Sequence, residues 1–162
     1  MTTNYIEAAK KQFLSYKEIA EKTFLQLSDD QLAYQCNEES NSIAMIVHHM
    51  WGNMRSRWTD FLTTDGEKSW RQRNAEFEPW IADRLTLVKT WEEGWDYLFN
   101  ALDSLTTDDL AKVVTIRNQK HTVIDAINRQ LAHYPYHIGQ IVYIGKMLVD
   151  KDWESLSIPK KA

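Results

Sequence analysis

The chain is poor in the residues that mark disulfide-rich, disordered and all-β proteins. It has one cysteine, three prolines and five glycines among 162 residues. The single cysteine, Cys36, excludes an internal disulfide and favours a reducing compartment. With seven tryptophans and seven tyrosines beside so few glycines and prolines, the composition disfavours a β-sandwich or a disordered chain and favours a helical protein.

The sequence also lacks the features of nucleic-acid-binding and membrane proteins. Its formal charge is −4, its pI is near 5.7, and it contains no long basic run. No apolar run approaches the ~18 residues that a membrane-spanning helix needs, and the first residues combine neither a basic start nor an apolar core. We therefore expect a cytoplasmic protein that binds neither nucleic acid nor membrane and folds as one domain over residues 1–162.

Apolar residues at spacings of three, four and seven predict four long helices. The first is expected over residues 3–27, and the second begins after Asn41 or Ser42 and ends near residue 62. The third is expected over residues 83–105, with Leu85 and Val88 in its apolar seam. The fourth runs from about 122 to 150. Thr122 and Asp125 have the spacing of a capping box at its start.

Two segments interrupt the helical pattern. Residues 28–41 are polar and predict a plain connection, whereas residues 63–82 are long, irregular and contain an Asp65-Gly66 turn. A connection of that length is typical of a crossover from one end of a helical bundle to the other. Residues 112–122, with β-branched residues around Asn118, predict a short β-hairpin.

The fourth helix carries the chemistry-bearing residues. His133 and His137 are four residues apart and therefore share one face, with Arg129 and Gln140 above and below them. Two imidazoles at this spacing can bind the same metal ion at about 2.0–2.1 Å each. A third ligand has to come from another element.

The second helix offers two histidines for that third position. His48 and His49 lie on opposite sides of the apolar seam, and periodicity alone barely separates them. His49 shares its side with Asn53 and Arg57, which favours it over His48. His48 stays the alternative ligand.

The same residues carry a family resemblance. A second-helix Ser-Ile-Ala-x-Ile-Val-x-His-Met at 42–50, with His-x-x-x-His at 133–137, resembles the DinB/YfiT-like superfamily of small metal-binding proteins. The runs 52–68 and 133–140 are similar to a bacterial branch of unassigned function. The resemblance implies an all-α four-helix bundle with a long connection between its second and third helices. It also implies His49, His133 and His137 as ligands of a divalent ion such as zinc or nickel, and a homodimer. Some members are thiol-dependent transferases or isomerases that use bacillithiol or mycothiol.

Three histidine ligands leave a coordination position open, as in catalytic sites. The leading hypothesis is therefore a metal-dependent enzyme that transfers a low-molecular-weight thiol to a small-molecule substrate. A metal-dependent hydrolase is a variant, and a non-catalytic metal-binding stress-response dimer is the contrasting alternative.

Several polar residues have two readings. Asn53, Arg57, Arg129 and Gln140 can orient the ligands or bind an anionic substrate, or they can be paired with carboxylates. The same holds for Arg71 and Arg73. In their case, ion pairs that pin the crossover, with Glu67, Glu76 or Glu78, are the favoured reading.

Overall fold

A computed structural model describes residues 5–80 and 83–159, which are mainly helical with one small antiparallel sheet. The α-helices in these ranges are α1 (Tyr5–Phe24), α2 (Asp29–Ala33), α3 (Ile43–Trp58), α4 (Arg84–Asp103) and α5 (Val123–Val149). The strands are β1 (Val113–Ile116) and β2 (Gln119–Thr122). Short 3₁₀ helices lie at Arg73–Phe77, Thr107–Ala111 and Asp150–Asp152.

The helix starts follow local capping signals. The Ser42 hydroxyl accepts a hydrogen bond from the Met45 amide and so caps α3. At α5, Thr122 and Asp125 form the capping box that their spacing predicts. Asp83 caps α4 through the Thr86 amide, so the helix itself begins one residue later than expected.

Other boundaries differ from the sequence prediction. Helix α1 ends at Phe24 and α3 at Trp58, earlier than residues 27 and 62, and α4 ends at Asp103. Residues 28–41 are not a plain connection because they contain α2. Ser28 caps this helix and forms a capping box with Gln31. Residues 3, 4, 81 and 82 of the predicted elements lie outside the described ranges.

The long helices bury a shared aromatic core. Helix α3 packs mainly against α4, α1 packs against α5, and α3 also contacts α5. Phe13, Trp91, Trp95 and Tyr134 are almost fully buried, with tilted or edge-to-face ring contacts among them. No helix within the described ranges combines the length and apolar character needed to span a membrane.

The predicted apolar seam of α4 is wrong at two positions. Leu85 is 80% exposed and Val88 is 37% exposed. Leu87 is the fully buried residue of this first turn instead. The seam therefore begins at Leu87 and continues through Trp91, because these two residues lie one turn apart on the face that meets the core.

The segment predicted as a crossover, called the crossover from here on, is described over residues 63–80 and is anchored on both sides. The Ser56 hydroxyl of α3 donates to the Gly66 carbonyl at 3.1 Å and accepts from the Lys68 amide at 3.0 Å. Asp65 accepts hydrogen bonds from the backbone amides of Arg117 and Asn118 in the hairpin turn, at 2.9 and 2.8 Å. The crossover is therefore held against α3 and the sheet.

The predicted hairpin is present. Strand β1 pairs with β2 from Val113 opposite Thr122 to Ile116 opposite Gln119. Arg117 and Asn118 connect them with φ values of 54° and 62°. Positive φ at both central residues is the signature of a type I′ turn, whose twist matches that of the two strands.

Candidate metal centre

Three histidines from two helices converge at one point. His49 comes from the middle of α3, and His133 and His137 come from successive turns of α5. One ligand atom from each lies within 4.8 Å of the other two. His49 and His137 are buried, and His133 is partly exposed. Among the described residues this trio is the group of histidine, cysteine or acidic side chains arranged to hold a metal ion.

Each imidazole has an oxygen acceptor at its Nδ1 atom. His49 Nδ1 lies 2.9 Å from the Glu76 carboxylate. His133 Nδ1 lies 3.2 Å from the Gln130 amide oxygen, and His137 Nδ1 lies 2.8 Å from that of Gln140. Because these oxygens are acceptors, each Nδ1 carries the proton and each Nε2 presents a lone pair. This is the outer hydrogen bonding that metal-binding histidines ordinarily have.

The Nε2 atoms fit a cation. His133 Nε2 and His137 Nε2 are 3.0 Å apart. Two lone pairs facing each other at this distance repel unless a positive charge lies between them. A tetrahedral ion bound at 2.0–2.1 Å separates its ligand atoms by about 3.3 Å. The donor set and the spacing therefore fit a divalent transition-metal ion.

Burial keeps the two α5 histidines neutral. Burial first, and then electrostatic interactions with His137, His49 and two nearby arginines, lower the pKa of His133 to about 3. Burial lowers the pKa of His137 to about 4, although its hydrogen bond to Gln140 acts in the opposite direction. Neutral imidazole is the form that binds metal, so both side chains are ready to coordinate at neutral pH.

A buried hydrogen-bonded chain fixes α3 relative to α5 beside the histidines. The Trp58 indole donates to the Tyr134 hydroxyl at 3.0 Å, and that hydroxyl donates to Asn53 Oδ1 at 3.1 Å. Tyr134 is fully buried. Tyr134 follows His133, and Asn53 lies one turn after His49. These two hydrogen bonds therefore set the spacing between the two helices that carry the histidines.

The crossover supplies the acceptor for His49. Glu76 is 4% exposed and lies in the 3₁₀ helix that packs on α3. Arg71 donates two hydrogen bonds of 2.7 Å to its carboxylate. Although burial raises the pKa of Glu76, the bonds from Arg71 and His49 outweigh it and lower that pKa. Gly52 leaves room for this group, because a Cβ there would lie 2.3 Å from Glu76 Oε1.

The histidines line one side of a cavity of about 490 Å³. Asn53, Arg57 and Arg129 line the same cavity, so the structure brings these predicted residues to the site. Gln140 contacts His137 but lines a neighbouring apolar groove. The cavity gives solvent and small molecules access to the three imidazoles.

The other two histidines lie elsewhere. His48 is stacked between the rings of Trp51 and Trp80, at centroid distances of 5.7 and 4.8 Å, on another side of α3. His121 lies in β2 opposite Val114. Neither belongs to the trio, so the geometry favours His49 over the alternative ligand His48.

Sequence reasoning missed two residues of this site. Gln130 lies three residues before His133, a spacing that puts it on the same helix face, and that signal was available. The sequence indicates Glu76 only as an ion-pair partner for the crossover arginines. Its pairing with Arg71 is present, and its contact with His49 had no sequence signal because the crossover has no regular period.

Comparison with known proteins assigns the chain to a family. A search of curated proteins gives no match for this chain. A family model described as "Protein of unknown function (DUF1572)" matches residues 1–162. Because that match covers the whole sequence, the chain belongs to the DUF1572 family.

Proposed function

We propose that this protein is a divalent-metal-dependent enzyme in which His49, His133 and His137 are the metal ligands. The observation that carries the proposal is the convergence of one ring nitrogen from each of three histidines within 4.8 Å, while each Nδ1 has an oxygen acceptor. Zinc and nickel are the expected ions, since imidazole ligands suit both. A bound ion of this kind acts as a Lewis acid that lowers the pKa of a water or thiol ligand.

The reaction we favour is the transfer of a low-molecular-weight thiol, such as bacillithiol, to an electrophilic small molecule. Two arguments support it. Three histidines would leave at least one coordination position of an ion to other ligands, as a catalytic site needs, and all three line the cavity. The resemblance to DinB-like proteins, some of which are thiol-dependent transferases, supplies the reaction class. From the same resemblance we infer that α1, α3, α4 and α5 form a four-helix bundle and that the protein is a homodimer.

The protein's own residues have defined tasks in this proposal. Glu76 holds the His49 ring so that Nε2 faces the other two ligands. Gln130 and Gln140 do the same for the α5 histidines. Asn53, held by the Tyr134 hydroxyl, lines the cavity next to the trio and can orient a polar group of the substrate.

Metal content and turnover test the proposal together. Protein purified without an affinity tag should contain about one equivalent of a divalent ion by elemental analysis. His49→Ala should abolish that content, and the matched control His121→Ala should not. Metal-loaded protein should then consume bacillithiol in the presence of a chromogenic electrophile. Metal-free wild-type protein, or turnover that is equal with and without the ion, would refute it.

A structural role for the ion is the second candidate. The observation that favours it is that the ligands come from both α3 and α5, so an ion would cross-link two helices of the core. Thermal unfolding with and without a chelator separates the two roles. A large loss of melting temperature on chelation favours a non-catalytic stress-response protein. A small loss with metal-dependent turnover favours the enzyme.

A further inference from the structure

The cavity beside the histidines is strongly positive although the chain is acidic overall. Its formal net charge is −4. Five of its seven arginines nevertheless line this cavity, and no aspartate, glutamate or lysine is among the described residues that line it. The five are Arg57, Arg71, Arg73, Arg117 and Arg129.

Arg57 is the least satisfied of these side chains. It is 3% exposed, and its Nε and Nη1 atoms make no hydrogen bond with any described residue. The nearest carboxylate oxygen, on Glu67, is 4.0 Å from Nη2. A guanidinium stays charged in proteins, and a buried charge ordinarily has a hydrogen-bonded partner of opposite sign. The described part of the chain supplies no such hydrogen-bonded partner to Arg57.

The carboxylates nearby are already shared. Glu67 also receives Arg71 Nη1 at 3.4 Å and Arg117 Nε at 3.2 Å, so one carboxylate serves three guanidinium groups. Arg73 and Arg129 have no carboxylate within 4.0 Å in the part of the chain that the structure describes. The cavity therefore holds more positive charge than its surroundings neutralise.

Four-residue spacing arranges polar side chains in facing rows on two helices, with His49, Asn53 and Arg57 on α3 and Arg129, His133 and His137 on α5. Arg129 is about 6 Å along its helix from His133, and Arg57 is about 12 Å along its helix from His49. The histidines thus occupy one end of the cavity and the two arginines the other.

We propose that the cavity binds a small molecule with a carboxylate or phosphate group, held by Arg57 and Arg129 while its reactive end reaches the histidines. This inference names the substrate class of the proposed enzyme and in that respect rests on the proposed function. A cavity of about 490 Å³ is the size of a small-molecule site. Arginine in place of lysine suits an oxyanion, because the planar guanidinium binds carboxylate and phosphate with two parallel hydrogen bonds.

Calorimetric titration of the metal-free, full-length protein tests the anion site directly. Inorganic phosphate and succinate are the two probes, and their relative affinity identifies the preferred oxyanion. Arg57→Lys and Arg129→Gln should each weaken binding of the preferred probe about tenfold or more, since a charge-assisted hydrogen bond is lost. Arg129 is exposed on α5, so its variant reads out binding even if the Arg57 variant folds poorly.

Arg55→Gln is the matched control. Arg55 lies on the same helix but stacks on the rings of Trp51 and Trp70, away from the cavity. Its variant should bind both probes like wild type. If wild type binds neither probe, or if the Arg57 and Arg129 variants bind as tightly as wild type, the anion site is refuted and the arginines only anchor the crossover.

A second titration links the anion site to the histidines. Zinc-loaded protein is titrated with mercaptohexanoate and with mercaptohexanol, which differ in the carboxylate. Mercaptohexanoate should bind about tenfold more tightly in wild type and Arg55→Gln, and the preference should vanish in Arg57→Lys and Arg129→Gln. Anion binding without zinc binding would refute the proposed function alone. Zinc binding with no preference for the carboxylate would refute the substrate class alone.

Discussion

Replacing Glu76 with glutamine isolates the outer hydrogen bond that orients His49. Glutamine keeps the size of the side chain and removes its charge. Its amide cannot accept from the His49 ring and from both Arg71 nitrogens at once, because one of its two terminal atoms is a donor. The variant therefore disturbs the ligand orientation without creating a cavity.

The expected size of the effect follows from the contacts. Losing an outer-shell partner typically lowers metal affinity by about 10- to 100-fold. Removing one partner of a buried ion pair costs about 3–5 kcal/mol, because the remaining charge is uncompensated. Glu67 still lies 3.4 Å from Arg71 Nη1. The loss in the free energy of unfolding of metal-free Glu76→Gln should therefore be nearer to about 2 kcal/mol.

Two measurements on the same samples separate orientation from anchoring. Zinc affinity comes from competition with a chromogenic chelator, and stability comes from urea unfolding of the metal-free protein. The control Glu78→Gln, two residues away and exposed, should change neither quantity. If Glu76→Gln binds zinc as tightly as wild type while its stability falls, Glu76 only anchors the crossover and the argument for His49 orientation is wrong.

Four further substitutions test particular contacts. Gly52→Ala should lower zinc affinity as Glu76→Gln does, because the added Cβ would displace the Glu76 carboxylate. Gly139→Ala adds a Cβ that meets nothing within 4 Å, and it should raise the free energy of unfolding measured in urea by about 0.5–1 kcal/mol. Burial opposes ionisation of Asp65, but backbone amide donors outweigh it and lower its pKa to about 2 from 3.8. After a reduction for solvent screening, this carboxylate should contribute about 1 kcal/mol to the free energy of unfolding. The contribution should be present above pH 4 and lost as the pH falls towards 2, and Asp65→Asn should remove this part of the acid unfolding curve. Pro135→Ala restores a backbone hydrogen-bond donor inside α5 and should raise the free energy of unfolding. If its zinc affinity equals that of wild type, Pro135 has no role in setting the angle between the two α5 imidazoles.

Signals that act over three or four residues could be predicted from the sequence. The capping box of Thr122 and Asp125 and the cap at Ser42 are examples, since each depends on side chains within one turn. Ser28 and Gln31 have the same capping-box spacing. Helix α2 is nevertheless absent from the sequence prediction, because its five residues are too few to show helical periodicity. The predicted apolar seam of α4 is wrong at Leu85. Periodicity correctly indicates that this segment is a helix, but it does not indicate which residues of the first turn reach the core.

The choice of ligands on different helices depends on tertiary structure. Spacing alone predicts that His133 and His137 share a face. It leaves His48 and His49 nearly equivalent, since they flank the same apolar seam. The contact of α3 with α5 and the stacking of His48 between two indole rings separate them. The resemblance to DinB-like proteins pointed to His49 because it supplied this tertiary information indirectly.

The contacts of the irregular crossover cannot be predicted from sequence periodicity, although its residues contribute charge and a hydrogen-bond acceptor to the site. One short segment contributes the acceptor for His49, through Glu76, and two of the cavity arginines, Arg71 and Arg73. Its position is set by Ser56 on one side and the hairpin turn on the other. The three histidines themselves lie on the regular helices α3 and α5. In the proposed enzyme, a substitution of Arg73 should therefore change the charge that a substrate meets, whereas a substitution of Glu76 should act on metal binding through His49.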